Sequence, residues 1–156
     1  MTPAQKEILQ DIQSFARTAP NVESLMEHIA KRLHEKMTRY NWVGFYLIDP
    51  ADSSFLVVGP FAGSFTPNAR IRLDTGLCGA AATSGKVVIV HDVSKDPRYL
   101  AGSNLVKSEI VVPIFAKKKL AAELDVESYF TDTFNKTEQE FIEACSNVVA
   151  QYLEKV

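Results

Sequence analysis

The sequence lacks the features that would place it in several easily recognised classes. It has only two cysteines, Cys78 and Cys145. That is too few for a disulfide-stapled secreted fold or a four-ligand structural zinc site, and no His/Cys spacing points to another metal centre. No apolar run approaches the roughly 20 residues that span a bilayer. The segment from Met1 to Glu7 lacks the basic-then-apolar order of a signal peptide. Together these absences predict a cytoplasmic protein with no membrane association. Charge of one sign is not in excess either, with 17 Lys and Arg against 19 Asp and Glu, so the basic face of a nucleic-acid binder is missing. There is no internal repeat, low-complexity segment or linker. What remains is 156 residues, 46% of them hydrophobic, about one globular domain able to bury a real core. We read residues 1–156 as that one domain.

Periodicity then divides the chain. Residues 3–17 carry an apolar stripe at helical spacing (Ile8, Leu9, Ile12, Phe15, Ala16), with Thr2 as candidate cap and Pro3 at the first helical position. A second helix is predicted over 22–37. From Trp42 to Ile48 the pattern becomes aromatic and β-branched, which predicts a strand. A hairpin partner follows at Phe55–Val58 and is expected to break at Gly59-Pro60. A short strand at 69–73 precedes a glycine turn and a close-packed helix at Gly76–Ala82. Further strands are predicted at 86–90, 108–115 and 120–128, the last two joined by a basic turn at Lys117–Lys119. Residues 92–106 form a long polar loop, and loops of that length inside a compact domain are usually functional. A final helix begins near residue 138, with Thr137 and Glu140 read as a capping box. Strands in the middle and helices at both ends predict an α+β fold with an antiparallel sheet.

Four segments carry a more specific signal: Asn41-Trp42-Val43-Gly44-Phe45-Tyr46, Gly76-Leu77-Cys78-Gly79-Ala80-Ala81, Lys107-Ser108-Glu109-Ile110-Val111-Val112-Pro113 and Leu124-Asp125-Val126-Glu127-Ser128. In this order and spacing they resemble the GAF domains of the free methionine-(R)-sulfoxide reductase family. The resemblance implies a central six-stranded antiparallel sheet, helices on one face, a ligand pocket on the other, and a dimer in many members. No cofactor and no metal are expected. The resemblance also implies a thiol mechanism, in which a cysteine attacks the sulfoxide, becomes a sulfenic acid and is resolved by a second thiol. The family places three cysteines around the pocket. Here the middle one is Cys78, the first falls on Asn68, and the last, the attacking one, falls on Gly102.

The residues allow plainer readings beside this one. Cys78 near a helix start can have a lowered pKa and act with an external thiol such as a thioredoxin, or it can simply pack a tight helix. Cys145 lies on the apolar stripe of the last helix and reads as a small buried hydrophobe. Glu123, Asp125 and Glu127 alternate along one strand and so share a face. That face is either solvated or, as the resemblance implies for Glu109, Asp125 and Glu127, it holds a ligand's ammonium group; the family has aspartate at the position of Glu127. Trp42 and Tyr46 read as pocket walls or as core aromatics, and Tyr99 as a loop residue that closes over a ligand. His28 and His34 read as surface residues and His91 as structural. The leading expectation is a small-molecule-binding domain for a free amino acid or its sulfoxide, catalytically degenerate and signalling through a partner. An active reductase using Cys78, a sensor of a small anion, and a structural dimerisation module are the alternatives.

Overall fold

A computed structural model describes all residues from Met1 to Val156. Its elements run α1 (Pro3–Thr18), α2 (Val22–Lys36), β1 (Trp42–Ile48), β2 (Phe55–Gly63), β3 (Arg70–Arg72), α3 (Gly76–Ser84), β4 (Val88–Val90), β5 (Ser108–Ala116), β6 (Lys119–Ser128) and α4 (Lys136–Lys155), with one turn of 3-10 helix at Val93–Lys95. The six strands form one antiparallel sheet in the order β3-β2-β1-β6-β5-β4.

The sheet separates two cores. Period-2 alternation sends Val43, Phe45, Ile110, Val112, Ile114, Ala122, Leu124 and Val126 to one face, where they pack with Leu25, Ile29, Leu33, Phe141 and Cys145 from the helices. The other face carries Trp42, Tyr46, Leu56 and Val111 beneath Leu77, Cys78 and Ala81 of α3. α1, α2 and α4 therefore form the structural layer, and α3 with the long loop covers the opposite side.

Local chemistry explains most boundaries. Thr2 Oγ1 accepts from the Gln5 N–H while Gln5 Oε1 accepts from the Thr2 N–H, a reciprocal cap that starts α1. Gln5 Nε2 and Tyr40 Oη both donate to the Glu138 carboxylate, at 2.8 and 2.7 Å, tying α1 and the entry to β1 onto α4. Two expectations need correction. β2 does not stop at Gly59-Pro60: the pairs Gly44↔Phe61 and Tyr46↔Val58 leave those two residues opposite Phe45 alone. This bulge is where a strand tolerates proline, so β2 continues to Gly63. α4 starts earlier than residue 138, because Asn135 Oδ1 rather than Thr137 caps it, accepting from the Glu138 N–H at 3.0 Å.

Candidate functional site

α3 brings the site together. Gly76, at φ +72°, lets the chain turn sharply from β3 into the helix. The helix then lies close against that turn, since a Cβ on Gly79 would stand 2.9 Å from the Asp74 carbonyl carbon. Thr75 gives no side-chain cap, so the first-turn N–H groups of α3 lack the usual partner. Cys78, one turn in, points down onto the sheet, where its thiol lies 3.8 Å from Asp125 Oδ2.

The acids of β5 and β6 meet it there. Glu127 pairs in register with Glu109 and Trp42, Asp125 with Val111 and Gly44, and Glu123 with Pro113 and Tyr46. None faces bulk water: Glu109, Glu123, Asp125 and Glu127 are at most 6% exposed. Neither oxygen of Glu123 nor Asp125 Oδ1 has a hydrogen-bond partner. No Lys, Arg or His forms an ion pair with any of the four. Burial first, and then the negative charge of Asp125, push Glu109 and Glu127 well above the usual carboxylate range and Glu123 up to about 9. Burial also raises Asp125. The solvated-face reading of these residues is thus excluded, and Glu123 joins a group in which only its alternation with Asp125 and Glu127 hinted at membership.

Above the acids lies a small cavity of about 20 Å³, room for about one water molecule. Its polar floor is Glu109, Asp125, Glu127 and Cys78, and its walls include Tyr46, Ile71 and Leu77. Phe65, Pro67, Asn68, Leu100 and Gly102 close it from the loops. The three positions that the resemblance assigns to cysteines, 68, 78 and 102, therefore line one cavity. The two loops meet over it through a long bond from Asn68 Nδ2 to the Ala101 carbonyl at 3.5 Å, weak by its length.

Other predicted residues sit differently. Tyr46 is on the wall and its hydroxyl donates to the Asn68 carbonyl at 3.1 Å. Trp42 is fully buried behind the wall, its ring over Gly44 and stacked on Phe61 and Phe65 at centroid distances of 5.6 and 5.8 Å. Tyr99 does not reach the cavity; its hydroxyl donates to the Ser103 carbonyl at 3.4 Å and braces the loop, while its neighbour Leu100 takes the covering position. Phe65 and Leu100 were not singled out from the sequence, because they stand in aperiodic segments that give no inward or outward signal. His34 Nδ1 bonds the Tyr40 carbonyl and His28 stacks on Phe15, so both are half-buried rather than simply on the surface. His91 is exposed.

A lowered pKa for Cys78 does not follow from its place on α3. Burial and the acids around it, Asp125 foremost, raise its thiol well above the ordinary value. Cys145 is raised to about 12 by burial alone and lies in the helical core across the sheet. Both native thiols are accordingly expected to react with Ellman's reagent at pH 7.5 at least about 100-fold more slowly than in denaturant. A fast-reacting thiol lost in Cys78→Ser would show that the cavity is open in solution.

The wider comparisons agree with this geometry. The GAF domain profile matches residues 21–153. The chain is 34% identical over 143 residues to the free methionine-R-sulfoxide reductase of Escherichia coli (strain K12), covering 92% of this chain and 78% of that protein. It is 33% identical over 135 residues to GAF domain-containing protein A of Dictyostelium discoideum, covering 86% and 83%. A solved free methionine-R-sulfoxide reductase from Neisseria meningitidis, in complex with its substrate, superposes with a TM-score of 0.90 at 31% identity, covering 99% of this chain and 92% of that one. No helix is long and apolar enough to cross a membrane. The six-stranded antiparallel sheet and its helices are those of the GAF fold: the chain belongs to the GAF domain family, among relatives that include the free methionine-R-sulfoxide reductases.

Proposed function

We propose that this chain binds a free amino acid, with methionine or its sulfoxide the leading candidate, and does not turn it over. The observation that carries this reading is the group of buried acids with no cation among them. An unpaired buried carboxylate is costly when ionised, by several kcal/mol. A ligand ammonium placed over Asp125, Glu109 and Glu127 removes that cost. The uncapped N–H groups at the start of α3 supply a complementary place for the ligand's carboxylate. Tyr46, Phe65, Ile71, Leu77 and Leu100 supply an apolar wall for its side chain. At about 20 Å³ the cavity is smaller than an amino acid, so binding requires the loop segments bearing Phe65 and Leu100 to move outward, and the weak bond between Asn68 and Ala101 opposes this little.

Absence of turnover follows from the thiols. Gly102 and Asn68 line the cavity where the resemblance places two of three cysteines. Cys78 is buried as a neutral thiol, and Cys145 packs on the far side of the sheet, out of reach as a resolving group. The acids facing the cavity weigh equally against a small-anion ligand.

Calorimetric titration with L-methionine and with free L-methionine-(R)-sulfoxide tests this, beside a thiol-dependent, NADPH-coupled assay. Saturable 1:1 binding is expected, weakened at least about tenfold in Asp125→Asn, with no NADPH consumption. Silence toward every amino acid tried would remove the binding reading. Turnover abolished by Cys78→Ser would establish the reductase instead.

A further inference from the structure

We propose that Cys78, Glu109 and Asp125 also form a divalent-metal site of the zinc type, completed by one water in the cavity. The three residues come from three elements, α3, β5 and β6, and each offers a ligand atom such that all three lie within 4.8 Å of one another. The Cys78 Sγ to Asp125 Oδ2 distance is already 3.8 Å. Zn–S and Zn–O bonds in a tetrahedron put the corresponding edge at about 3.6 Å, so that pair needs almost no movement. Glu109 offers its oxygen within 4.8 Å of the other two ligand atoms, within the reach of its side-chain torsions.

Two further observations point to a ligand here. Asp125 is 2% exposed, lies on the cavity floor, and has an oxygen with no partner in the protein. The cavity above has the volume of about one water, which is the fourth position that a three-ligand zinc site leaves open. The donor set of one thiolate and two carboxylates suits a borderline-soft ion such as zinc and disfavours magnesium or calcium, which take oxygen alone. On binding, the Cys78 S–H proton and the proton that burial holds on Glu109 both leave to solvent, and the two residues coordinate as thiolate and carboxylate; no electron moves. Glu127, beside the water position on the same floor, is placed to accept its hydrogen bond. Sequence reading found no such centre because the ligands are 31 and 16 residues apart and include no histidine.

The metal would take Asp125 and Glu109, two of the acids that the amino-acid reading gives to the ligand's ammonium, so the two occupants compete for one cavity and are tested apart. A chain that takes the metal but no methionine sustains one and overturns the other, and the converse also holds. The probe is Co²⁺, added to the full-length chain after chelation and reduction. One equivalent is expected to give a thiolate-to-cobalt absorption band and the intense visible bands of four-coordinate cobalt, both discharged by Zn²⁺. Cys78→Ser should lose the thiolate band, Cys145→Ser should keep it, and Asp125→Asn should weaken cobalt binding at least about tenfold. Thermal melts confirm that each variant is folded; if Cys78→Ser is not, the Asp125→Asn and Cys145→Ser arms decide. No thiolate band, a weak six-coordinate spectrum, a band that persists in folded Cys78→Ser, one lost in Cys145→Ser, or cobalt binding unchanged in Asp125→Asn would overturn the site.

Discussion

Replacing Gly102 with cysteine is expected to give the chain turnover of free methionine-(R)-sulfoxide at least about 100-fold above its own background. The position lines the cavity opposite Cys78 and the acids, and it is where the resemblance puts the attacking thiol. A thiolate there attacks the sulfoxide sulfur; oxygen passes to the cysteine, which becomes a sulfenic acid, and methionine departs. Cys78 or added dithiothreitol then condenses with the sulfenic acid, releasing water and forming a disulfide, and a second thiol equivalent restores the starting state. The new Cβ would stand 3.0 Å from Phe65 Cε2, so the ring must yield by a few tenths of an ångström. The backbone at Gly102 is outside the left-handed region and adds no strain. The measurement is NADPH consumption in a thioredoxin-coupled assay, with Cys78→Ser added to show which thiol resolves. A folded Gly102→Cys variant that binds methionine yet stays inert would break the correspondence between Gly102 and the attacking position.

The second large effect is on stability against pH. Glu123 has an unperturbed pKa of 4.5 and is raised to about 9 in the folded chain, by burial first and by Asp125 second. The groups facing it are Cys78 from α3, which lowers the carboxyl slightly, Asp125 on its own strand, and Tyr46 and Pro113 on the adjoining strands. A group raised on folding binds its proton more tightly in the native state. Its contribution is complete below pH 4.5 and is lost as pH climbs toward 9. Glu109, Asp125 and Glu127 are raised too and act in the same direction. The unliganded protein should therefore melt about 5 °C or more lower at pH 9 than at pH 5.5. Glu123→Gln should flatten that slope and raise the melting point at the alkaline end. Since Glu123 is not on the cavity wall, the variant should bind methionine as before. A flat melting profile in the parent chain would mean that water reaches the acids freely.

The framework was legible from the sequence because it is written in repeating patterns. Ile8 and Ile12 repeat at helical spacing, Ile110, Val112 and Ile114 at strand spacing, and both sets land in the helical core. The misreadings arise where one residue's local preference is outweighed by its neighbours. Pro60 ends strands in isolation but sits in a bulge here. Thr137 resembles a cap, but Asn135 is better placed by two residues. For the site, alternation showed that Glu123, Asp125 and Glu127 share a face but not whether that face is wet. Only the placement of α3 over the sheet decides it. The same holds for Cys78: its place near a helix start favours a reactive thiol, but burial first and the acids beneath it second raise the thiol instead.

The division of the sheet into two cores has an evolutionary consequence. Along β6, Ala122, Leu124 and Val126 pack into the helical core while Asp125 and Glu127 face the cavity on the other side, so adjacent codons answer to different demands. Substitutions at codons 125 and 127 alter the cavity floor and leave the side chains of the helical core in place. A one-residue insertion early in the strand would exchange the two sets and drive three acids into the oily side. Lineages of this domain are therefore free to drift at the cavity floor, yet are held to a fixed reading register along β6.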